Sequence, residues 1–253
     1  MAKHNCAICG AEVGLLAQQK LADGNFICRK VCAKKCLKHF DLIPATLDDV
    51  KAHIEQIEYG TKVWEQIFVP LQKTKNKEEK LRGFGQYDAL VVSPSTGLVA
   101  ITQDDYKFFI FGKTTRAVVF RLADLYRYDY ETEVSKDSEG KEVTKHFAHL
   151  TFNNTVGLFD FRMPCSDKLD FESMEKYLNN CFGIQKTLKN SINNAKRQMD
   201  AIKAVAGAVK EAATGGNNLE EKGSAAIDAV NANIYGDRTE WIKKADAALA
   251  TVK

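Results

Sequence analysis

The clearest chemistry in this chain belongs to its thiols. Five of the seven cysteines, Cys6, Cys9, Cys28, Cys32 and Cys36, fall in the first thirty-six residues. Four thiolates complete a tetrahedral zinc site, and Cys6 and Cys9 have the two-residue gap with which a tight turn aims two sulfurs at one ion. Gly10 supplies the permissive backbone after such a knuckle. The expected ligands are Cys6, Cys9, Cys28 and Cys32, and the expected cofactor is structural zinc. With all four positions filled by protein, no place remains for a reactive water. The metal would then supply folding free energy to a module too small to bury a sufficient core.

Short elements must bring these sulfurs together. The stretches Gly14-Leu15-Leu16 and Lys20 to Ile27 read as two strands joined by an Asp23-Gly24 turn, which returns Cys28 to the first pair. From Lys30 to Phe40 no glycine or proline intervenes, which predicts a helix with Cys32 in its first turn, at the positive end of the dipole. Cys36 would share a helix face with Cys32, either as a neighbouring thiol or as the fourth ligand in its place.

Cys6-x-x-Cys9-Gly10, Gly14-Leu15-Leu16, Lys20-Leu21-x-Asp23-Gly24, Cys28 and Cys32-x-Lys34-Lys35 together resemble the opening finger of a family of uncharacterised bacterial and phage proteins. One residue is extra between Cys28 and Cys32 relative to that pattern. The resemblance implies a zinc finger followed by a pleckstrin-homology-like domain, and it brings no activity with it.

The remainder is ordinary in bulk: 253 residues, 45% hydrophobic, with 36 basic against 33 acidic residues. A net charge of +3 neither requires nor excludes nucleic acid. No run of eighteen apolar residues is present and Met1 to Asn5 leads into none, so neither a membrane span nor a secretion signal is expected. Clustered cysteines in odd number fit reduced thiols in the cytoplasm.

After the finger, Thr46 caps a helix with an acidic first turn and an apolar stripe of Leu47, Val50, Ile54 and Ile57, ending near Gly60. A second helical piece over 63–68 stops at Pro70, and Gln72 to Lys80 reads as a charged linker. Seven strands follow, at 87–92, 98–102, 107–111, 117–120, 125–133, 142–152 and 156–161, then an amphipathic helix over 171–182. Seven strands closed by a helix resemble the pleckstrin-homology-like superfold, as does the Phe120 to Tyr126 segment. The expected α+β organisation is a zinc-finger module over 1–41, a helical connector and linker over 42–82, a seven-stranded pleckstrin-homology-like β barrel or sandwich with its helix over 83–184, and an α-helical tail over 185–253.

Other candidate chemistry is thin. Gly112-Lys113-Thr114-Thr115 lacks the upstream glycine of a phosphate loop, since Lys107 stands there, and reads as a hairpin turn. His146 and His149, three apart on a strand, point to opposite faces. Cys165 and Cys181 have no nucleophile setting. The turn Ser93 to Gly97 has no lysine or arginine, which disfavours phosphoinositide binding. Tyr126, Tyr128 and Tyr130 share one strand face, as core or as a peptide-binding strip. The tail, with Met199, Ile202, Val205, Ala206 and Val209 at helical spacing and further helices over 219–234 and 239–252, needs a partner to bury its stripe: the β domain itself, another copy of the chain or a membrane surface, with its alanines, valines and acidic residues favouring helix packing over a membrane. The expected function is a non-enzymatic interaction or scaffold protein that binds another protein through its β domain and tail. The alternative is nucleic-acid binding through Arg29, Lys30, Lys34, Lys35 and Lys38 on the finger's helix.

Overall fold

A computed structural model describes residues 3–38, 40–108, 111–154, 157–183 and 238–253. The chain divides into two compact units, Met1–Phe171 with Trp241–Lys253, and Glu172–Glu240.

The N-terminal module is built from two small antiparallel ribbons. Strands β1 (His4–Asn5) and β2 (Glu12–Val13) pair around the first cysteine knuckle, and β3 (Gln18–Lys20) pairs with β4 (Phe26–Cys28) across the Asp23-Gly24 turn. Gly24 there has a φ of 86°, a left-handed conformation that suits glycine. Cys6, Leu21, Ile27, Cys28, Cys32, Cys36, Ala45 and Val50 form the module's own small core.

Helix α1 spans only Cys32–Lys35, not the stretch to Phe40 that the sequence predicts. Cys36 is already extended at φ −69° and ψ 156°, because tertiary contacts claim the chain there. The Leu37 N–H donates to His53 Nε2 at 3.4 Å, and Phe40 stacks on the His53 ring. Of Arg29, Lys30, Lys34, Lys35 and Lys38, expected together on the finger's helix, only Lys34 and Lys35 lie in α1.

Helix α2 (Leu47–Val63) starts as the sequence predicts, with a reciprocal cap: the Asp49 N–H donates to Thr46 Oγ1, and the Thr46 N–H donates to Asp49. It runs through Gly60 instead of ending there. A Cβ at Gly60 would collide with the Ala117 carbonyl, so this glycine serves close helix-to-strand packing and not termination. A π-turn over Trp64–Phe68 then widens the helix ahead of Pro70, and α3 (Val69–Gln72) continues past the proline. The segment read as a linker is pinned by its own turn, in which Thr74 Oγ1 and Asn76 Nδ2 both donate to Glu79.

Seven strands follow, differently divided from the expectation. β5 (Arg82–Phe84), β6 (Leu90–Ser93), β7 (Leu98–Phe108) and β8 (Phe111–Arg121) form a four-stranded antiparallel sheet. β9 (Leu125–Lys136), β10 (Glu142–Asn154) and β11 (Gly157–Cys165) form a three-stranded one. The strand read at 107–111 is the end of β7 and the start of β8. Among the described residues the two sheets do not close into a barrel. A single 3-10 turn at Leu122–Asp124, with Arg121 forked onto Asp124, swings the chain out of the first sheet and starts the second. Phe120 of β8 stacks on Phe152 of β10 at 4.3 Å, joining the two layers.

Helix α4 (Lys168–Cys181) follows β11, and helix α5 (Thr239–Leu249) ends the chain. α5 falls in the segment expected as a helical tail and packs on the first unit's core, where Ala245 is fully buried with Val63, Trp64, Phe68, Leu98, Ala100 and Ala117. Gly97 makes that fit, since a Cβ there would stand 2.6 Å from the Trp241 carbonyl oxygen. Within the second unit, the Arg238 guanidinium lies over the Phe182 ring at 4.0 Å. The tail segments read at 199–209 and 219–234 lie outside the described residues.

Candidate metal centre

The four sulfurs of Cys6, Cys9, Cys28 and Cys32 all lie within 4.8 Å of one another. They come from three local devices: the β1–β2 knuckle for Cys6 and Cys9, the end of β4 for Cys28, and the first residue of α1 for Cys32. Cys6 and Cys32 sulfurs are 3.7 Å apart, and those of Cys9 and Cys28 are 3.8 Å apart. A tetrahedron with metal–sulfur bonds of about 2.3 Å has edges of about 3.8 Å, so these spacings fit a shared cation. They are far too long for a disulfide, and all seven cysteines are free thiols. Cys36, buried in the same small core, is not a member of the set.

Backbone donors converge on the sulfurs as well. The Cys28 N–H points at Cys6 Sγ and the Cys32 N–H at Cys28 Sγ, both at 3.3 Å. Burial pushes the Cys6 thiol up, but the N–H groups of Cys9, Cys28 and Ile8 outweigh it and bring Cys6 down to about 6. Cys32 is pushed up by its burial and by the neighbouring sulfurs. Four close sulfurs cannot all ionise unaided, and a bound cation would resolve that conflict by stabilising every thiolate. Cys36 is raised to about 11 by burial, opposed in part by Arg116, and stays a neutral thiol.

The module is fastened to the four-stranded sheet. Arg116 of β8 donates through Nη1 to the carbonyls of Lys34 at 2.9 Å, Lys35 at 2.6 Å and Cys36 at 3.3 Å. Its Nε meets Asp105 of β7 at 2.5 Å, and the Lys38 N–H donates to Gln103 Oε1 at 2.7 Å. A guanidinium thus caps the short α1 at its negative end. No local signal in the sequence marks Arg116 for this role, because its partners lie some eighty positions upstream.

The other sequence candidates do not converge on a point. His146 and His149 face opposite sides of β10: His146 Nδ1 is hydrogen-bonded to the Tyr130 hydroxyl at 2.5 Å, and His149 lies between Glu131 at 2.8 Å and Asp160 at 3.2 Å. Arg162 meets Glu131 and Glu133, and the Thr151 hydroxyl donates to Asp160. These groups pair off along the outer face of the three-stranded sheet. Tyr128 and Tyr130 sit opposite the buried Leu150 and Ala148, on the core-facing side, where Tyr130 also packs on Phe171. Gly112 to Thr115 lie within β8, where Lys113 and Thr115 both engage Asp104. Burial raises Cys165 to about 11.

Residues 4–53 match a family model described as a domain of unknown function, DUF4428. The match spans β1 to the first turns of α2 and contains all four clustered cysteines. Match and cluster together fit the family resemblance carried by the cysteine pattern. No curated protein and no solved structure matches the chain. No helix among the described residues is long and apolar enough to cross a membrane.

Proposed function

We propose that this chain is a non-enzymatic cytoplasmic interaction protein, in which a structural zinc finger is stapled to a pleckstrin-homology-like β domain that captures a protein segment. Cys6, Cys9, Cys28 and Cys32 hold the zinc, whose role is to fold the module. The four-plus-three antiparallel strands followed by α4 support the domain reading, as does the resemblance to bacterial and phage proteins. The observation that carries the binding role is a groove of about 650 Å³ between α2, β8 and α5. Tyr59, Val119 and Leu249 give it apolar walls, while Glu55, Asp124 and Asp246 give it charge. Arg121 is spent on Asp124 and Asp246, so the groove's excess is acidic. Its volume lies in the ordinary range for ligand sites, and the lining suits a peptide segment with one apolar and one basic side chain.

Affinity capture from native host extract with the full chain and with Tyr59→Ala tests this. Tyr59 is half exposed, so its truncation leaves the fold intact. A protein partner retained by the parent and lost by the variant supports the reading. Identical capture by both removes the groove from it. Nucleic-acid binding through a long basic helix is disfavoured, because α1 is a single turn.

A further inference from the structure

The β3–β4 ribbon has one packed end and one free end. At the Asp23 end, Asp23 accepts from the Leu47 N–H at 2.8 Å and the Ala22 N–H donates to the Ala45 carbonyl, tying that turn to the start of α2. At the opposite end the ladder runs one bond further, from the Arg29 N–H to the Ala17 carbonyl at 2.9 Å. That bond sets the 3-10 turn Leu15–Ala17 beside Arg29, which leads into Lys30 and Val31. The turn has no buried residue: Leu16 is 90% exposed and Leu15 59%, and Val31, two residues past Arg29, is 58% exposed. Large apolar side chains held this far out on a convex tip are unusual on a soluble surface.

The chain that leads away from this end is cationic. Arg29, Lys30, Lys34 and Lys35 are all exposed, and among the described residues none has a carboxylate within 4.0 Å. Between Gly14 and Lys38 the chain has six cations and one carboxylate, Asp23, which stands at the packed end. A zinc with four thiolates leaves two negative charges in the buried centre, fewer than the cations around it. Arg116 fixes the Lys34 and Lys35 backbone, so these two cations are presented on a rigid base.

An occupant must accept both surfaces. A nucleic-acid duplex meets the cations but offers two leucines little apolar surface, and a protein would need a concavity matched to a convex knob. The boundary between headgroups and acyl chains of an anionic bilayer deforms around apolar side chains and attracts basic ones. We infer that the finger docks the chain peripherally on anionic membrane surfaces, with Leu15, Leu16 and Val31 entering the boundary and Arg29, Lys30, Lys34 and Lys35 on the lipid phosphates. This site is separate from the groove and stands whether or not the groove binds protein.

Flotation of the full chain with phosphatidylcholine vesicles, with and without phosphatidylglycerol, tests the inference. Binding is expected only to the anionic vesicles and should weaken as salt rises. Leu16→Ser should lower partitioning about tenfold, and Lys30→Glu with Lys34→Glu should lower it further. Leu169→Ser, at another exposed leucine, should change nothing. Metal content of each variant reports whether the finger is intact, and if the double charge reversal loses it, Leu16→Ser and the salt series decide. Absence of binding, equal binding to neutral vesicles, or anionic binding that ignores Leu16→Ser would each overturn the inference. So would binding to duplex DNA with none to vesicles.

Discussion

Two clusters of ionisable side chains, the four thiols of the finger and the ladder around His149, show what separates a site from a surface. The thiols come from three separate segments of the chain and aim at one volume, with backbone N–H groups behind them. The ladder residues come from adjacent strands, and each carboxylate already has a cation, an imidazole or a hydroxyl as its partner. Convergence on a shared point leaves a charge problem that a bound cation would solve. Pairing along a solvated sheet face solves it internally, and such pairs contribute little to stability.

The largest effect expected from breaking this contrast is at the thiols. Cys9→Ser should release the metal, and structural zinc in finger peptides is worth about 10–16 kcal/mol of apparent binding free energy at pH 7. Hydrogen exchange should show lost protection over 4–53, while β10 and β11 stay protected. Equal protection across the finger in parent and variant would mean that its core stands without the metal.

Next comes His53, a buried imidazole outside both clusters. Burial pushes it down to about 4 from its ordinary 6.5, with a Gln56 hydrogen bond opposing and Arg116 assisting. The unfolded chain therefore binds the proton first as pH falls. The associated stability is full above pH 6.5 and is lost between about 6.5 and 4, by about 3 kcal/mol in total. Urea unfolding across that window should be steeper in pH for the parent than for His53→Asn.

Arg116→Ala removes three carbonyl contacts and the Asp105 pair from a largely buried side chain, and should cost about 2 kcal/mol. Proteolysis should then release the finger from the sheet more readily. His149→Ala should shift the unfolding midpoint least, within about 0.5 kcal/mol, since its partners are partly exposed. A large loss there would show the ladder to be structural.

The thiol set was readable because a two-residue gap and a turn dipeptide are local features. The cap at Thr46 and the opposite facing of His146 and His149 were readable for the same reason. What escaped was set across the fold. Gly60 looked like a helix stop and is a packing notch against Ala117. The long hairpin of β7 and β8 was read in pieces because Gln103 to Asp105 and Thr114 to Arg116 interrupt the apolar alternation. Those residues face each other across the hairpin, Thr115 on Asp104 and Arg116 on Asp105. The short α1 carries no stop signal, since Cys36 and Leu37 are drawn out of helix by burial and by His53.

Metal content of protein purified without chelators, measured for the parent, Cys32→Ser and Cys36→Ser, tests the central claim most directly. The proposed zinc site predicts about one zinc per parent chain, its loss in Cys32→Ser and its retention in Cys36→Ser. A metal-free parent with a protease-resistant N-terminus would contradict the claim, and retention by Cys32→Ser with loss by Cys36→Ser would contradict the assignment of the fourth ligand.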